Sequence, residues 1–206
     1  MSSAARIAVL DYGIGNLRSA QKALEKVGAD ARLVTGPKQA ESADAVVLPG
    51  VGAFGACMNA LRASGLDSVV RDAADSGLPF LGICVGMQML FTDSDEDAGV
   101  RGLDIIPGSV RTIPGAVKRP QMQWNRLHVR TVEPMFEGLG ADPWMYFVHS
   151  YHGVPDDPAD VSATVRYGSE INVAFRRRNV FAVQFHPEKS ASAGLAMLGN
   201  FVGSVR

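Results

Sequence analysis

The sequence predicts an α/β fold, a single-domain three-layer sandwich in which a mostly parallel central sheet is flanked by helices and carries an antiparallel extension. Three observations predict it. Short apolar runs alternate with helically spaced apolar residues through the first two thirds of the chain, the pattern of βα units around a parallel sheet. From about Gly99 onward, strand-like segments follow one another instead. The 206 residues, 47% apolar and 20% charged, suit one domain that buries roughly 70% of the surface its unfolded chain would expose.

Ile7 to Leu10 reads as the first buried strand, followed by the turn Asp11-Tyr12-Gly13-Ile14-Gly15. Leu17, Ala20, Ala23, Leu24 and Val27 recur at helical spacing, and Gly28 stands where a helix end commonly needs a left-handed residue. Ala31 to Val34 and Ala45 to Leu48 are further strands, the second running into Pro49-Gly50-Val51-Gly52. A helical stretch with Met58 and Leu61 continues through Leu66 to Ala74 and closes at Ser76-Gly77. Phe80 to Ile83 is another apolar run; the helical spacing of Met87, Leu90 and Phe91 then puts Cys84 at a strand-to-helix junction. Met145 to Val148, Val161 to Tyr167, Ile171 to Phe175 and Val180 to Phe185 read as strands, and a last helix from about Ser192 buries Leu195, Leu198 and Val202. No repeat, low-complexity tract or long linker interrupts the chain, so one domain is expected over residues 1–206.

Twenty basic residues against twenty-one acidic ones leave a formal charge of -1, which gives no overall pull toward nucleic acid or anionic lipid. Arg176-Arg177-Arg178 is the one basic cluster and reads as a solvated turn before Asn179. Met1 to Arg6 does not have the form of a signal peptide, and no window holds the ~20 apolar residues of a membrane span, so a cytoplasmic protein is expected. Cys57 and Cys84 are too few for a disulfide framework, and no CxxC or HxxxH spacing suggests a metal site; no cofactor is expected.

Gly82-Ile83-Cys84-Val85-Gly86 has the GxSxG arrangement with cysteine in the serine position, a sharp turn that holds a nucleophile above a sheet. Free N–H groups and the dipole at a helix start favour a thiolate there, and the Val85 N–H would face the oxygen of a carbonyl under attack. Taken alone, the five residues suit a core cysteine better than a nucleophile. Cys57, an apolar helix position with no glycine bracket and no partner, reads as that bland case. In His186-Pro187-Glu188 the proline favours an extended backbone at His186, and residues two apart in such a segment point the same way. A carboxylate beside an imidazole fixes its tautomer and stabilises the imidazolium, as a base that activates a thiol requires; a surface pair around a turn is the competing reading. His128, His149 and His152 lack such a neighbour. Gly50, Gly52 and Gly55 spell GxGxxG, but the acidic residue expected about 20 positions on is absent, since Asp72 and Asp75 lie in a helical stretch. These glycines instead suit close approach of backbone to a ligand, with the Gly52 N–H as a second oxyanion donor, or a turn with a packing role alone.

Taken together, Pro49-Gly50-Val51-Gly52, Gly82-Ile83-Cys84-Val85-Gly86-Met87-Gln88 and His186-Pro187-Glu188 resemble class I glutamine amidotransferases. Further segments are similar to the glutaminase subunits of imidazole glycerol phosphate synthases: Asp11-Tyr12-Gly13-Ile14-Gly15-Asn16-Leu17, Gln123-Trp124-Asn125, Tyr146-Phe147-Val148-His149-Ser150-Tyr151 and Gln184-Phe185-His186-Pro187-Glu188-Lys189-Ser190. Val85 stands where leucine is usual, and Gln121 and Gln123 stand where His and Gly are usual before Trp124-Asn125. The resemblance implies a glutaminase that hydrolyses L-glutamine through a Cys84 thioester, with His186 as base, Glu188 as its orienting group, and Gly50, Gly52 and Val85 around the oxyanion. Gln88, Ser150 and Tyr151 would hold the amino-acid end of the substrate; Gln88 also lies one turn past Cys84, on the same helix face. With one domain taken up by the glutaminase, the ammonia is expected to serve another polypeptide. The resemblance implies a heterodimer with a (β/α)8 barrel cyclase that makes imidazole glycerol phosphate and AICAR in histidine biosynthesis, with Asn16, Trp124, Tyr146 and Lys189 at or near the interface. For Trp124 and Tyr146 core packing is an equally good reading. The glutaminase of pyridoxal phosphate synthase is the nearest alternative, followed by an ester or lactone hydrolase and by a nucleotide-binding regulatory subunit.

Overall fold

The structure, a computed structural model, describes residues 4–205. Residues 1–3 of the Met1–Arg6 segment lie outside it. The apolar runs form β1 (Arg6–Leu10), β2 (Asp30–Val34), β3 (Ala45–Gly50) and β4 (Phe80–Cys84), with helix α1 (Leu17–Lys26) after β1 and helices α2 (Phe54–Ala63) and α3 (Leu66–Ser76) after β3. β3 and β4 are buried at every position, as strands covered on both faces must be. α1 buries Leu17, Ala20, Ala23 and Leu24 on the predicted stripe, and the main chain turns left-handed at Gly28 (φ 95°). The stretch read as one helix is two, because Gly65 (φ 71°) starts α3 in the left-handed region and breaks the run.

One eight-stranded sheet is the centre of the molecule, and its outer half contains β8 (His128–Val129), β11 (Val161–Tyr167), β12 (Ser169–Arg177) and β13 (Val180–Val183). The strand order is β2-β1-β3-β4-β13-β12-β11-β8. Pairing is parallel from β2 to β13 and antiparallel from β13 to β8, which is the predicted mixed sheet. The chain steps outward from β1 to β2 and then back past it to β3 and β4. Parallel crossovers are right-handed as a rule, so steps in opposite directions put α1 on one face and α2 with α3 on the other. The last helix, α5 (Ala191–Gly203), packs against α1 and buries Met197, Leu198, Phe201 and Val202, while Leu195 is half-buried rather than buried.

Two smaller sheets stand outside this frame. Strands β5 (Phe91–Ser94), β6 (Ile106–Thr112) and β10 (Tyr151–Pro155) form one, and β7 (Gln121–Arg126) pairs antiparallel with β9 (Trp144–His149) in the other. The first overturns one expectation. The helix after Cys84, α4, spans Val85–Gln88 only, and Phe91 already belongs to β5. The cause is competition for carbonyls: Met89 O accepts from Leu103 N, Leu90 O from Ile105 N and Ile106 N, and Phe91 O from Asp104 N, so a neighbouring segment takes the groups that further helical turns would use.

The arginine cluster also differs from its reading. Arg176 and Arg177 belong to β12 and are ion-paired, Arg176 with buried Glu133 and Arg177 with Asp160 at 2.9 Å. The turn is confined to Arg178 (φ 53°) and Asn179. Among the described residues no helix is long and apolar enough to cross a membrane, and no cluster of metal-ligating side chains occurs.

Candidate active site

Cys84 ends β4 with φ 55° and ψ -115°, a conformation that a side chain adopts only when its surroundings enforce it. The surroundings are backbone. A Cβ on Gly86 would fall 1.9 Å from Leu48 O, and one on Gly50 would fall 2.5 Å from Gly86 N, so the end of β3 and the turn at Cys84 pack main chain against main chain. This is the strained strand-to-helix elbow that the five-residue motif specifies. Because α4 is a single turn, its free N–H groups, rather than a long helix dipole, are what favour negative charge at its start.

The Pro49–Gly52 segment forms the opposite wall. The Tyr12 hydroxyl donates to Pro49 O at 2.9 Å and the Cys57 thiol to Val51 O at 3.4 Å, which orients both carbonyls. Cys57 is fully buried in the core, as its sequence reading had it, and its one partner is this backbone carbonyl. Gly52 adopts φ 105°. A Cβ on Gly55 would lie 2.0 Å from Asp97 Oδ2, and Glu96 Oε2 accepts the Phe54 N–H at 2.8 Å. A carboxylate thus occupies the start of α2, where a dinucleotide phosphate would meet negative charge.

His186 follows β13 and is fully buried, with Glu188 two residues on in a short turn, Pro187–Lys189. Its Nδ1 lies 2.8 Å from Glu188 Oε1. Its Nε2 is buried and makes no hydrogen bond among the described residues. The ring is held by its main chain: His186 N donates to Tyr146 O at 3.0 Å, while the Ser190 hydroxyl donates to His186 O at 2.6 Å and accepts from Tyr146 N at 3.0 Å. Burial works against a charged imidazole, but Cys84 and Glu188 outweigh it and push its pKa up to about 10.

Cys84 and His186 share a pocket of about 250 Å³ whose walls also include Gly52, Val85, Gln88, Glu96, His149, Ser150 and Tyr151. The structure therefore brings Cys84, His186, Gly52, Val85, Gln88, Ser150 and Tyr151, all singled out by the sequence, to one cleft; Gly50 lies directly behind it, against Gly86 and Tyr12. Glu96 and His149 also line the cleft, and no local motif marks either of them in the sequence. Burial lowers the pKa of His149 to about 4, and the ring sits with Nδ1 2.7 Å from Tyr151 O and Nε2 3.0 Å from Gln121 Oε1, bracing the Ser150–Tyr151 wall. Gln121, at its unusual position, is absorbed by this buried contact, and Gln123 is exposed. A cleft of similar size, about 280 Å³, lies near the start of β13 between Arg71, Asp104 and Arg178, and contains neither a cysteine nor a histidine.

Trp124 and Tyr146 face one another across β7 and β9 with rings 6.0 Å apart. Trp124 is 43% exposed and Tyr146 half-buried, which excludes simple core packing for the tryptophan. Met122 and Trp144, 63% and 48% exposed, lie along the same ribbon. Val148 of β9 lines the pocket, so this apolar face begins at the pocket wall. Lys189 is exposed in the turn after His186; Asn16 is exposed at the start of α1, in a loop whose Gly15 and Ile14 approach Val51 and Gly52.

A strained cysteine at the carboxyl end of a parallel strand, with a buried His-Glu pair from the neighbouring strand, defines a thiol-dependent acyl-transfer enzyme of the α/β class. Residues 8–204 match the family described as glutamine amidotransferase class-I, and the chain belongs to that family. It is a glutamine amidotransferase. Among curated relatives, it is 48% identical to "Imidazole glycerol phosphate synthase subunit HisH" of Syntrophotalea carbinolica, over 95% of this chain and 98% of that one. It is 49% identical to the protein of the same name from Synechococcus elongatus, over 100% of this chain and 96% of that one. Solved structures share the fold: a glutamine amidotransferase (TM-score 0.76, 23% identity, 96% of this chain and 98% of that one) and PurLQS from Thermotoga maritima (TM-score 0.76, 19% identity, 98% and 100%).

Proposed function

We propose that the chain is the glutaminase subunit of an imidazole glycerol phosphate synthase, with Cys84, His186 and Glu188 as its catalytic triad. The observation that carries the assignment is the buried His186–Glu188 contact at 2.8 Å beside a cysteine at φ 55°, with the far ring nitrogen left without a hydrogen-bond partner of its own among the described residues. His186 takes the Cys84 proton, the sulfur attacks the side-chain amide carbon of glutamine, and the Val85 and Gly52 N–H groups hold the oxyanion. The imidazolium returns the proton to the leaving nitrogen, ammonia departs, and water hydrolyses the thioester to glutamate. Gln88, Ser150 and Tyr151 hold the amino-acid end. Glu96, whose Oε2 is fixed by Phe54 N, is positioned to meet the α-ammonium group.

The ammonia is used by a second polypeptide, a cyclase of (β/α)8 barrel fold. The ribbon bearing Trp124 and Tyr146, together with Lys189 and Asn16, forms the docking face. Support comes from the shared name of the relatives and from an exposed apolar stripe that begins at the pocket. Glutamine turnover measured with and without the cyclase and its ligand tests the reading. Weak activity alone and strong stimulation by the partner are expected, and Cys84→Ala should abolish both. Residual turnover in a folded Cys84→Ala protein would remove the assignment.

A further inference from the structure

The Cys84 sulfur has a neighbour that the mechanism above does not use. The parallel register that pairs Val183 with Ile83 brings Gln184 level with Cys84 at the ends of adjacent strands. Gln184 N still donates to Val173 O at 2.8 Å, so the sheet fixes its Cα. The side chain is fully buried, with Nε2 3.6 Å from Cys84 Sγ and Oε1 accepting from Gln88 Nε2 at 3.0 Å. Burying a carboxamide is costly unless both of its ends are paired, and here one end is paired with the sulfur.

A carboxamide carries donors at one end only. While Gln88 gives an N–H to Gln184, the Gln184 oxygen faces Gln88 and its nitrogen faces Cys84. Gln88 also lines the pocket, and with its nitrogen turned inward its oxygen is the end left for a ligand. A substrate N–H on that oxygen secures the whole chain of donors in one sense. If both amides turn over together, the Gln184 oxygen faces the sulfur instead, an arrangement suited to a neutral thiol and opposed to an anion. A donor on sulfur is stronger when the sulfur is charged. The other titratable groups near the sulfur are His186 after β13, Tyr12 after β1, Cys57 of α2 and Glu96 across the pocket.

We propose that Gln184 is a positioning residue for the reaction, holding an N–H against the Cys84 sulfur in an orientation set by Gln88, so that the state of the nucleophile is linked to the donor that substrate brings into the pocket. The inference rests on Cys84 being the nucleophile. Iodoacetamide alkylation of the full chain, followed across pH by mass spectrometry of the Cys84 peptide and by glutaminase activity, separates the two ideas. In Gln184→Leu and the unbranched Gln184→Met, with folding checked by thermal unfolding, the pH of half-maximal alkylation should rise by about one unit. Alkylation at neutral pH and kcat should fall about tenfold while KM changes less than about twofold. Gln88→Met should move the alkylation profile the same way, and the double variant should move it little further. Superimposable profiles in folded Gln184 variants overturn the proposal. Full additivity removes Gln88 from it, and if neither Gln184 variant folds, an unchanged profile in Gln88→Met overturns it. Wild-type protein alkylated at Cys84 that keeps its glutaminase activity would instead show that the nucleophile was misassigned.

Discussion

Glu188 holds the His186 ring through Nδ1 at 2.8 Å, so the nitrogen left over, Nε2, is the one available to Cys84. Replacing the carboxylate by the isosteric amide in Glu188→Gln keeps an acceptor and removes the charge that stabilises the imidazolium. Glutamine kcat should fall about tenfold to a hundredfold with KM nearly unchanged, a smaller loss than in Cys84→Ala. Equal losses in the two variants would mean that Glu188 does more than orient the ring.

Backbone strain at Cys84 gives a stability prediction opposite in sign to its effect on activity. At φ 55° and ψ -115° only glycine is unstrained. Cys84→Gly should be inactive yet more stable than Cys84→Ala by about 1 kcal/mol in denaturant titrations, after allowing for the greater freedom of glycine in the unfolded chain. Equal stabilities would show that the conformation costs nothing.

The glycines around the elbow differ sharply in what a methyl group would meet. Gly86→Ala places carbon 1.9 Å from Leu48 O, a backbone atom that cannot swing aside, and should cost more than about 3 kcal/mol or prevent folding. Gly199→Ala, in α5 with nothing within 4 Å, should raise stability by about 0.5–1 kcal/mol. Thermal unfolding of the pair checks both signs.

Local sequence carried the elbow and the His-Pro-Glu turn, because each is set within five residues. The groups that complete the site were not legible for the same reason. Gln184 meets Cys84 across 100 positions of sequence, and Ser190 meets Tyr146 across 44. Only the strand order makes them neighbours. The helix expected after Cys84 failed on another long-range effect, since its apolar spacing is real but its carbonyls bond to residues 103–106. Glycine spacing at Gly50, Gly52 and Gly55 is ambiguous by itself; the Glu96 and Asp97 carboxylates that decide it come from a loop some forty residues away.

Three buried histidines shift, His149 and His152 downward through burial and His186 upward despite it, and together they shape stability against pH. His149, lowered from 6.5 to about 4, stays neutral in the fold while the unfolded chain binds a proton, so its contribution is lost as pH falls from 6.5 to 4. His186, raised from 6.5 to about 10, keeps its proton in the fold, so its contribution is full below 6.5 and is lost as pH rises toward 10. Their sum is greatest near pH 6.5. Denaturant titrations from pH 4 to 10 should show a steeper alkaline decline in wild type than in His186→Asn, and a gentler acid decline in His149→Gln. Parallel curves across the alkaline range would remove the raised His186.

The chain contains two tryptophans, and both stand exposed on the β7–β9 ribbon, Trp124 at 43% and Trp144 at 48%. Intrinsic emission therefore reports on that surface. If the ribbon docks the cyclase, complex formation should exclude water from the indoles and move emission to shorter wavelength. Trp144→Phe assigns what remains to Trp124, whose ring packs against Tyr146 at 6.0 Å and so senses the strand whose Tyr146 carbonyl accepts the His186 N–H. Trp124→Ala should weaken association about tenfold or more, as loss of an aromatic anchor at an interface does. Emission unchanged in a complex verified by sedimentation would place the interface on another face, leaving the ribbon's apolar stripe without a role in ammonia transfer.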